Sequence, residues 1–260
     1  MEMGTQKDKV YDLLAAAHLH KPARALYRAV FGAEGRARRR RLHDFYAPLI
    51  QKDDLVYDVG ANIGVYSEIF CSLGARVIAL EPIPDCVRHL KRWLPAEQVT
   101  VIEASVGAAP GTGRLHLSSL QSSSSMSDNW VETVKQSSLS KTVRWIRDLE
   151  VRVVTLDEIS KQYGRPRYVK IDVEGYEEFV LDGMPWQPDL LSFEFHKETI
   201  EAAVRCLSRP CISNESLFNY LLGEPGRFVC EQWISFDQLK SELSALGSEH
   251  GFGDIFIRKP

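Results

Sequence analysis

The sequence is poor in cysteine and has no long apolar run, and both absences narrow the class of protein. Five cysteines among 260 residues, an odd number with no C-x-x-C spacing, argue against a disulfide framework or a structural zinc site. No segment approaches the roughly 20 apolar residues that span a bilayer, and the N-terminus lacks the apolar core of a signal peptide. We therefore expect a cytoplasmic protein that does not bind a membrane.

The protein also lacks a large net charge of either sign. The net charge of −3 argues against nucleic acid or an anionic membrane as a partner for the whole surface. One local run is strongly basic, and we interpret it as a solvated helix face rather than a contact for an anionic partner. The run consists of Arg36, Arg38, Arg39, Arg40 and Arg41.

Apolar runs and helical patterns alternate from residue 55 onwards, which predicts a parallel sheet with helices on both faces. The length suffices for one large α/β domain. Residues 1–50 are expected to form a helical extension, with helical spacing over 8–50, and residues 51–260 the main domain. The predicted strands, near seven in number and enough for a doubly wound sheet, are 55–60, 76–82, 99–106, 168–175, 190–196, 227–233 and 251–260.

A polar insertion at about 118–148 interrupts this alternation. It lies between two strand-like segments, 114–119 and 149–155, and has seven serines among the ten residues 118–127. We expect a mobile loop rather than packed structure. A spacer and a lid that covers a substrate with Trp130 and Trp145 are equally good interpretations.

Polar side chains end four of the predicted strands. Ligands of doubly wound sheets bind beyond the carboxyl ends of the strands, so these residues should converge on one crevice. They are Asp58 with Gly60, then Glu81, then Asp172 with Glu174, and finally Glu194 with His196.

The first of these turns predicts a cofactor that contains a nucleoside. In "DVGANIG" glycine lets a ligand approach the backbone closely, and the following helix presents free N–H groups. Glu81 comes about 20 residues after Gly60, where an acid suits ribose hydroxyls. Asp58, two residues before Gly60, suits a cationic amino group better than a pyrophosphate.

Two other classes of protein remain as alternatives. An NAD(P)-dependent reductase would need the G-x-G-x-x-G pattern, which is absent, as is a P-loop; the Tyr-x-x-x-Lys pair of such reductases is missing too. A non-catalytic, cofactor-binding scaffold on the same fold would have no need for the polar cluster at the strand ends.

Several motifs together resemble the FkbM family of methyltransferases. They are "DVGANIG" with the following Ser67, "EP" at 81–82, "KIDVEGYEEFVLDG" at 170–183 and "FEFH" at 193–196. The resemblance covers roughly residues 50–200. It implies a Rossmann-like class I fold with a seven-stranded, mostly parallel sheet, and S-adenosylmethionine as the cofactor.

The resemblance also implies roles for individual residues. The pocket for the methionine and nucleoside parts of the cofactor would be shaped by the first turn, the ribose would be held by Glu81, and Asp172 would face the junction with the substrate. Ala104 and Ser105 would end the third strand and flank the adenine. The turn residues concerned are Asp58, Gly60, Asn62, Gly64 and Ser67.

The acceptor that the resemblance implies is a small hydroxylated molecule, such as a sugar or a polyketide-like secondary metabolite. Enzymes that methylate amino groups of bases or glutamine usually carry an Asn/Asp-Pro-Pro-Tyr-like motif after the fourth strand. This chain has "DVEGYEE" there, which argues against such enzymes, and the resemblance implies O-methylation instead. A homo-oligomer is compatible with the sequence.

Methylation of a hydroxyl needs a group that takes its proton. His196 is the first candidate, because an imidazole titrates near neutrality, and Asp172 is the second. Glu174 and Glu194 are expected to orient His196 or Lys170, or to bind a divalent ion through their oxygens. A purely structural cluster around Lys170 explains the same residues equally well.

Overall fold

The computed structural model describes residues 32–224, 226–246 and 251–259. The helix expected before residue 32 lies outside these ranges. The helices are α1 (Gly32–Tyr46), α2 (Val65–Ser72), α3 (Pro84–Trp93), α4 (Asp128–Gln136), α5 (Leu156–Tyr163), α6 (Glu177–Asp182), α7 (Ile200–Leu207) and α8 (Phe236–Ser244). The strands are β1 (Leu55–Val59), β2 (Arg76–Leu80), β3 (Val99–Ile102), β4 (Ser105–Val106), β5 (Gly111–Ser118), β6 (Trp145–Val154), β7 (Tyr168–Ile171), β8 (Leu190–His196), β9 (Leu217–Leu222) and β10 (Phe252–Arg258).

Seven strands form the main sheet in the order β3-β2-β1-β7-β8-β10-β9. Neighbouring strands are parallel from β3 to β8, whereas β10 pairs antiparallel with both β8 and β9. The chain order reverses between β1 and β7, which is the switch point at which doubly wound sheets bind ligands. The predicted fold, a doubly wound and mostly parallel sheet of seven strands, is confirmed.

Helices cover both faces of the sheet, because its strands are apolar on both sides. One buried cluster includes apolar residues of α5, α6, α7 and α8, and the other includes apolar residues of α1, α2 and α3. On α1, the buried Leu42, Phe45 and Tyr46 pack in this second cluster. No helix within the described ranges is both long and apolar enough to cross a membrane.

Two strand predictions are wrong in detail. The sequence 227–233 is not a strand: the edge strand is β9, and Ile234 makes only an isolated bridge to Phe218. The side chain of Asn219 explains this, since its amide donates to the carbonyl oxygens of Cys230 and Gln232 and fixes the segment as a loop. The strand predicted over 99–106 ends at Ile102, and β4 belongs to a second sheet of order β4-β6-β5.

The serine-rich segment is packed rather than an open loop, which corrects the prediction. It contains α4, whose N-terminus is capped by Ser127 through a hydrogen bond from the Trp130 backbone N–H. Ser118, Ser125 and Ser127 are buried, and the Ser125 hydroxyl donates to the backbone oxygen of Glu174 at 2.6 Å. The segment also has a small apolar cluster, in which Trp130, Val134 and Val143 are buried and Leu120 and Trp145 pack against them.

Candidate functional site

A cavity of about 670 Å³ lies beyond the carboxyl ends of the main strands. Its floor follows the order of the strands, from the residues after β3 to the start of β10. Five strand spacings of about 4.8 Å separate these limits, which makes the floor roughly 24 Å long. We refer to its two limits as the β3 end and the β10 end.

Strand register aligns the polar side chains of the floor. Asp58 pairs with Ala79 on one side and with Lys170 on the other, and Glu194 pairs with Asp254. Side chains two residues apart point to the same face of a strand. Two residues after Asp58 and its register partners, one residue from each of five neighbouring strands or strand ends lies in a row across the sheet. In order across the sheet, these residues are Glu81, Gly60, Asp172, Glu194 and Asp254, and all five line the cavity.

Gly60 makes the first turn possible. Its φ is +82°, and a Cβ there would lie 1.8 Å from the backbone oxygen of Asp172. Any other side chain would push β1 and β7 apart at the point where the floor opens. Asn62 follows with φ 49°, a left-handed conformation that asparagine tolerates better than most residues.

Glu81 is fixed by the turn itself. The backbone N–H of Asn62 donates to Oε2 of Glu81, and that of Ile83 donates to Oε1, both at 2.8 Å. Burial raises the pKa of Glu81 to about 7, against the lowering effect of these two hydrogen bonds. The side chain is 4% exposed and lines the cavity beside the strand that carries Gly60.

Three of the predicted cofactor residues pack beneath the first turn and do not line the cavity. Asp58 is buried and accepts a hydrogen bond from the Ser67 hydroxyl at 2.6 Å. Gly64 precedes α2 with φ +83° and packs against Leu90. None of Asp58, Gly64 and Ser67 is among the described residues that line the cavity. Asp58 thus joins the turn to α2, which differs from the expectation that it meets a cationic amino group.

The β3 end of the cavity is mainly apolar. Ala104 and Ser105 were expected to end the third strand, but β3 ends at Ile102 and Ser105 begins β4 of the second sheet. Both residues line the cavity. The serine-rich segment contributes Ser122, Ser124 and Met126 to the same wall. Their contribution was not foreseen, because serines carry no pattern that predicts which of them face a ligand.

Lys170 and His196 each contact a different pair of acidic side chains near the cavity floor. The Lys170 ammonium is fully buried, lies 2.7 Å from Oδ2 of Asp172 and 4.0 Å from Oδ1 of Asp254, and lies over the ring of Tyr66 at 4.1 Å. Burial opposes its charge, but the charge of Asp172 raises the pKa of Lys170 well above its usual value. The structural cluster around Lys170 is therefore real, and it involves Asp172 and Asp254.

His196 pairs with the two glutamates. Its Nε2 lies 3.1 Å from Oε2 of Glu194 and 3.7 Å from Oε2 of Glu174. The ring of Trp130 from α4 lies against the imidazole, with the ring centres 4.3 Å apart. Neither Trp130 nor Trp145 is among the described residues that line the cavity, so the expected aromatic cover is not formed by them. Trp130 instead packs on His196 from outside.

The electrostatics of this cluster change the expected role of His196. Burial lowers the pKa of His196, but the charges of Glu194 and Glu174 outweigh this and raise it to about 10. The imidazole is therefore protonated at neutral pH, and its charge favours the contact with Trp130. Burial and the charge of Asp172 raise the pKa of Glu194 above its usual value, against the opposing effect of His196.

The same three side chains have the spacing of a metal site. Ligand atoms of Glu174, Glu194 and His196 all lie within 4.8 Å of one another. Two carboxylates and one imidazole suit several divalent ions. Glu174 also has φ 55°, a strained conformation for a residue other than glycine, and such strain is often found at functional sites.

The β10 end of the cavity was largely missed by the sequence analysis. Phe252, which is 42% exposed, and Asp254 line it from β10. The sequence signal that could have identified Asp254 is an acidic residue within an otherwise apolar strand, "GFGDIFI". Arg36, Arg38 and Arg39 also line the cavity, although Arg36 is exposed as expected of a solvated face.

A sequence profile of the methyltransferase FkbM domain matches residues 58–223, well over half of the chain. The chain belongs to the FkbM methyltransferase domain family. The matched residues include the first turn, Glu81 and the acid cluster, whereas α1 and β10 lie outside them.

A curated relative of this family member is the hexuronic acid methyltransferase AglP of Haloferax volcanii, which is 31% identical over 136 residues. The match covers 52% of this chain and 51% of AglP, so the chain spans about half the length of that relative.

Solved structures show only distant similarity. One is a precorrin-6y C5,15-methyltransferase from Geobacter metallireducens GS-15, with 16% identity, a TM-score of 0.41, and coverage of 85% of this chain and 87% of that chain. Another is a putative O-methyltransferase from Klebsiella pneumoniae, with 8% identity, a TM-score of 0.38, and coverage of 79% and 72%. The fold assignment rests on the strand order itself.

Proposed function

We propose that this protein is an S-adenosylmethionine-dependent O-methyltransferase that acts on a hydroxyl group of a sugar or a similar small molecule. The observation that carries the proposal is the row of side chains across the cavity floor, with Glu81 and the Gly60 turn at one side and Glu194 at the other. These residues line one cavity of an FkbM family member, which supports a ribose site at Glu81 and a proton acceptor at Glu194.

The residues present fit the cofactor. Glu81 presents a carboxylate oriented by two backbone amides, which suits the two hydroxyls of a ribose. Ala104 and Ser105 at the apolar β3 end suit an adenine ring. Gly60 and Asn62 shape the turn between these sites and Asp172, whereas Asp58, Gly64 and Ser67 support that turn from behind.

When bound, S-adenosylmethionine would supply an electrophilic methyl group: the acceptor oxygen would bond to the methyl carbon while the carbon–sulfur bond breaks and S-adenosylhomocysteine leaves. The protein's main contribution is to align the acceptor, which is worth several kcal/mol in well-oriented reactions. Asp172 faces the junction between the two halves of the cavity, and Lys170 holds its carboxylate in place at 2.7 Å.

Glu194 takes the proton of the acceptor hydroxyl in this proposal. It lines the cavity, and its raised pKa makes it a stronger base than an exposed carboxylate. His196 positions Glu194 through the 3.1 Å contact and balances its charge, because it is already protonated. Glu174 lies near the same Nε2 atom, at 3.7 Å.

A divalent ion on Glu174, Glu194 and His196 is the alternative use of this cluster. Such an ion would have to displace the proton of His196. Removal of metal with a chelator tests this: activity that is lost and then restored by magnesium or manganese would support the ion, and unchanged activity supports the proton acceptor.

The sugar acceptor is supported by AglP, whose name states a hexuronic acid as its substrate. A secondary metabolite with a similar hydroxyl fits the same cavity. We also propose that residues 51–260 form the methyltransferase domain, preceded by a helical extension.

Thermal unfolding with S-adenosylhomocysteine, and separately with NADH and NADPH, tests the cofactor. A ligand at about 100 times its dissociation constant adds roughly 2.7 kcal/mol of stability, so the melting temperature should rise with S-adenosylhomocysteine alone. A rise with only a nicotinamide cofactor would favour a reductase, and no rise with any of the three would favour a scaffold.

A pair of variants locates the binding site in the same assay. Glu81→Gln should remove most of the stabilisation by S-adenosylhomocysteine, because hydrogen bonds to a charged group contribute about 1.5–3 kcal/mol each. Glu103→Gln is the matched control, since Glu103 is exposed and is not among the described residues that line the cavity. If S-adenosylhomocysteine raises the melting temperature of both variants equally, the ribose does not bind at Glu81.

A further inference from the structure

Elements outside the family match contribute several residues to the cavity lining. Arg36 and Arg39 of α1 precede residues 58–223, and Phe252 and Asp254 of β10 follow them. If the matched residues bind the cofactor, as proposed above, these elements are left to contact the acceptor. We therefore expect side chains of α1 and β10 to determine which acceptors this chain binds.

Helix α1 is anchored firmly enough to serve as a binding wall. Leu42 belongs to the buried cluster and also lines the cavity. Nearer the N-terminus, Nε and Nη2 of Arg38 each lie 2.8 Å from a different carboxylate oxygen of Glu224. Two-point contacts of this kind fix a guanidinium in orientation as well as in position.

Arg36 and Arg39 are three residues apart, so their side chains lie next to each other on the helix surface. Nη1 of Arg39 lies 2.8 Å from Oε1 of Glu68 on α2, which leaves its other N–H groups for a further partner. Arg36 is exposed and has no ion-pair partner among the described residues. Two adjacent guanidinium groups suit a planar anionic group such as a carboxylate.

The opposite wall and the floor restrict what can bind there. Phe252 offers an exposed ring 6.3 Å from the ring of His196, a surface that suits the apolar face of a sugar ring. The floor is acidic, with Asp172, Glu194 and Asp254 in one row. Lys170 and His196 offset part of this acidity, but neither is among the described residues that line the cavity, whereas Arg36 and Arg39 are. An anionic group on the acceptor therefore finds accessible cations on α1.

We propose that Arg36 and Arg39 form a subsite for an anionic group on the sugar acceptor, so that the protein methylates acidic sugars in preference to neutral ones. The inference rests on the proposed function and extends it to the substrate class. A carboxylate and a phosphate share the required chemistry, and the experiment distinguishes them.

Binding of three probes with the same ring tests the subsite. Methyl glucuronoside, methyl glucoside and methyl glucoside 6-phosphate are titrated by calorimetry into the full chain loaded with S-adenosylhomocysteine. We expect at least one anionic probe to bind about tenfold or more tightly than the neutral glucoside. The tighter anionic probe identifies carboxylate or phosphate as the preferred group.

Variants assign the preference to the two arginines. Arg36→Gln with Arg39→Gln should abolish the preference and leave the affinity for the neutral glucoside and for S-adenosylhomocysteine unchanged. Arg40→Gln with Arg41→Gln removes the same charge from exposed positions that are not in the described cavity lining, and should keep the preference. Glu68→Gln breaks the ion pair of Arg39 but keeps the arginine, and should keep the preference too.

The proposal is overturned if the wild-type protein binds all three probes equally, if it binds none of them, or if the double variant retains the preference. These outcomes are distinct from failure of the proposed function, which would appear as the absence of a thermal shift with S-adenosylhomocysteine.

Discussion

At the scale of single residues, the local charges decide which group can accept a proton. A histidine at the end of a strand suggests a base that titrates near neutrality. Here the charges of the two glutamates beside His196 raise the pKa of the imidazole to about 10, and for this reason we propose Glu194 rather than His196 as the base. Identifying the base therefore requires knowing which acids surround the histidine, and Glu174 comes from a different segment of the chain, after β7.

The pH dependence of the reaction should reflect Glu194. Burial and the charges of Asp172 and Asp254 raise its pKa to about 7, with His196 opposing. Below that pH Glu194 is protonated and cannot take the acceptor's proton, so the rate should fall about tenfold per pH unit. Above about 7 the rate should level off until His196 loses its proton near pH 10.

Glu194→Gln should lower kcat by about 10²–10⁴-fold and remove the step near pH 7, measured by the initial rate of S-adenosylhomocysteine release between pH 5 and 9. Its affinity for S-adenosylhomocysteine should be unchanged, since Glu194 lies at the other side of the floor from Glu81. A variant that keeps the step at pH 7 would assign the proton to another group.

At the scale of secondary-structure elements, local sequence signals are strong where the contacts are local. The Thr155 and Glu158 pattern predicts a capping box, and the structure contains it: each backbone N–H donates to the other residue's side chain at 3.1 Å. The edge strand β9 was not predicted, because its position depends on contacts that are distant in the sequence. Its position depends on pairing with β10, more than 30 residues away along the chain, rather than on its own pattern.

Thr155→Ala should destabilise the protein by about 1 kcal/mol, because it leaves a helix N–H without its side-chain partner. For a domain of this size the melting temperature should fall by roughly 2–4 °C. Thr155→Ser keeps the hydroxyl and should restore most of that loss in the same thermal unfolding measurement. Equal melting temperatures for the alanine and serine variants would contradict a stabilising cap.

At the scale of the whole molecule, stability comes from two apolar layers rather than from covalent links. All five cysteines are free, and four of them are buried. Cys71 and Cys86 are core residues, as predicted from their apolar surroundings. Burial raises the pKa of the Cys71 thiol to about 12, which keeps it in the unreactive form.

Thiol titration with Ellman's reagent checks this picture. The native protein should react at no more than one thiol, the partly exposed Cys230, within minutes, and the protein unfolded in guanidinium without reductant should show all five. Fewer than five in the unfolded protein would reveal a disulfide. Several fast thiols in the native protein would contradict the burial of Cys71, Cys86, Cys206 and Cys211.

Features that depend on neighbouring residues could be predicted before the structure was known: the alternation of strands and helices, the Gly60 turn and the capping box at Thr155. The sequence also placed Glu81, Asp172 and Glu194 at strand ends, because strands of a parallel sheet end at one edge. The tertiary structure alone decided which acids surround Lys170 and which surround His196, that Asp58 lies behind the turn, and that α1 brings Arg36 and Arg39 to the cavity. These depend on sheet register and helix packing between residues far apart in the chain, and no local pattern encodes such distances.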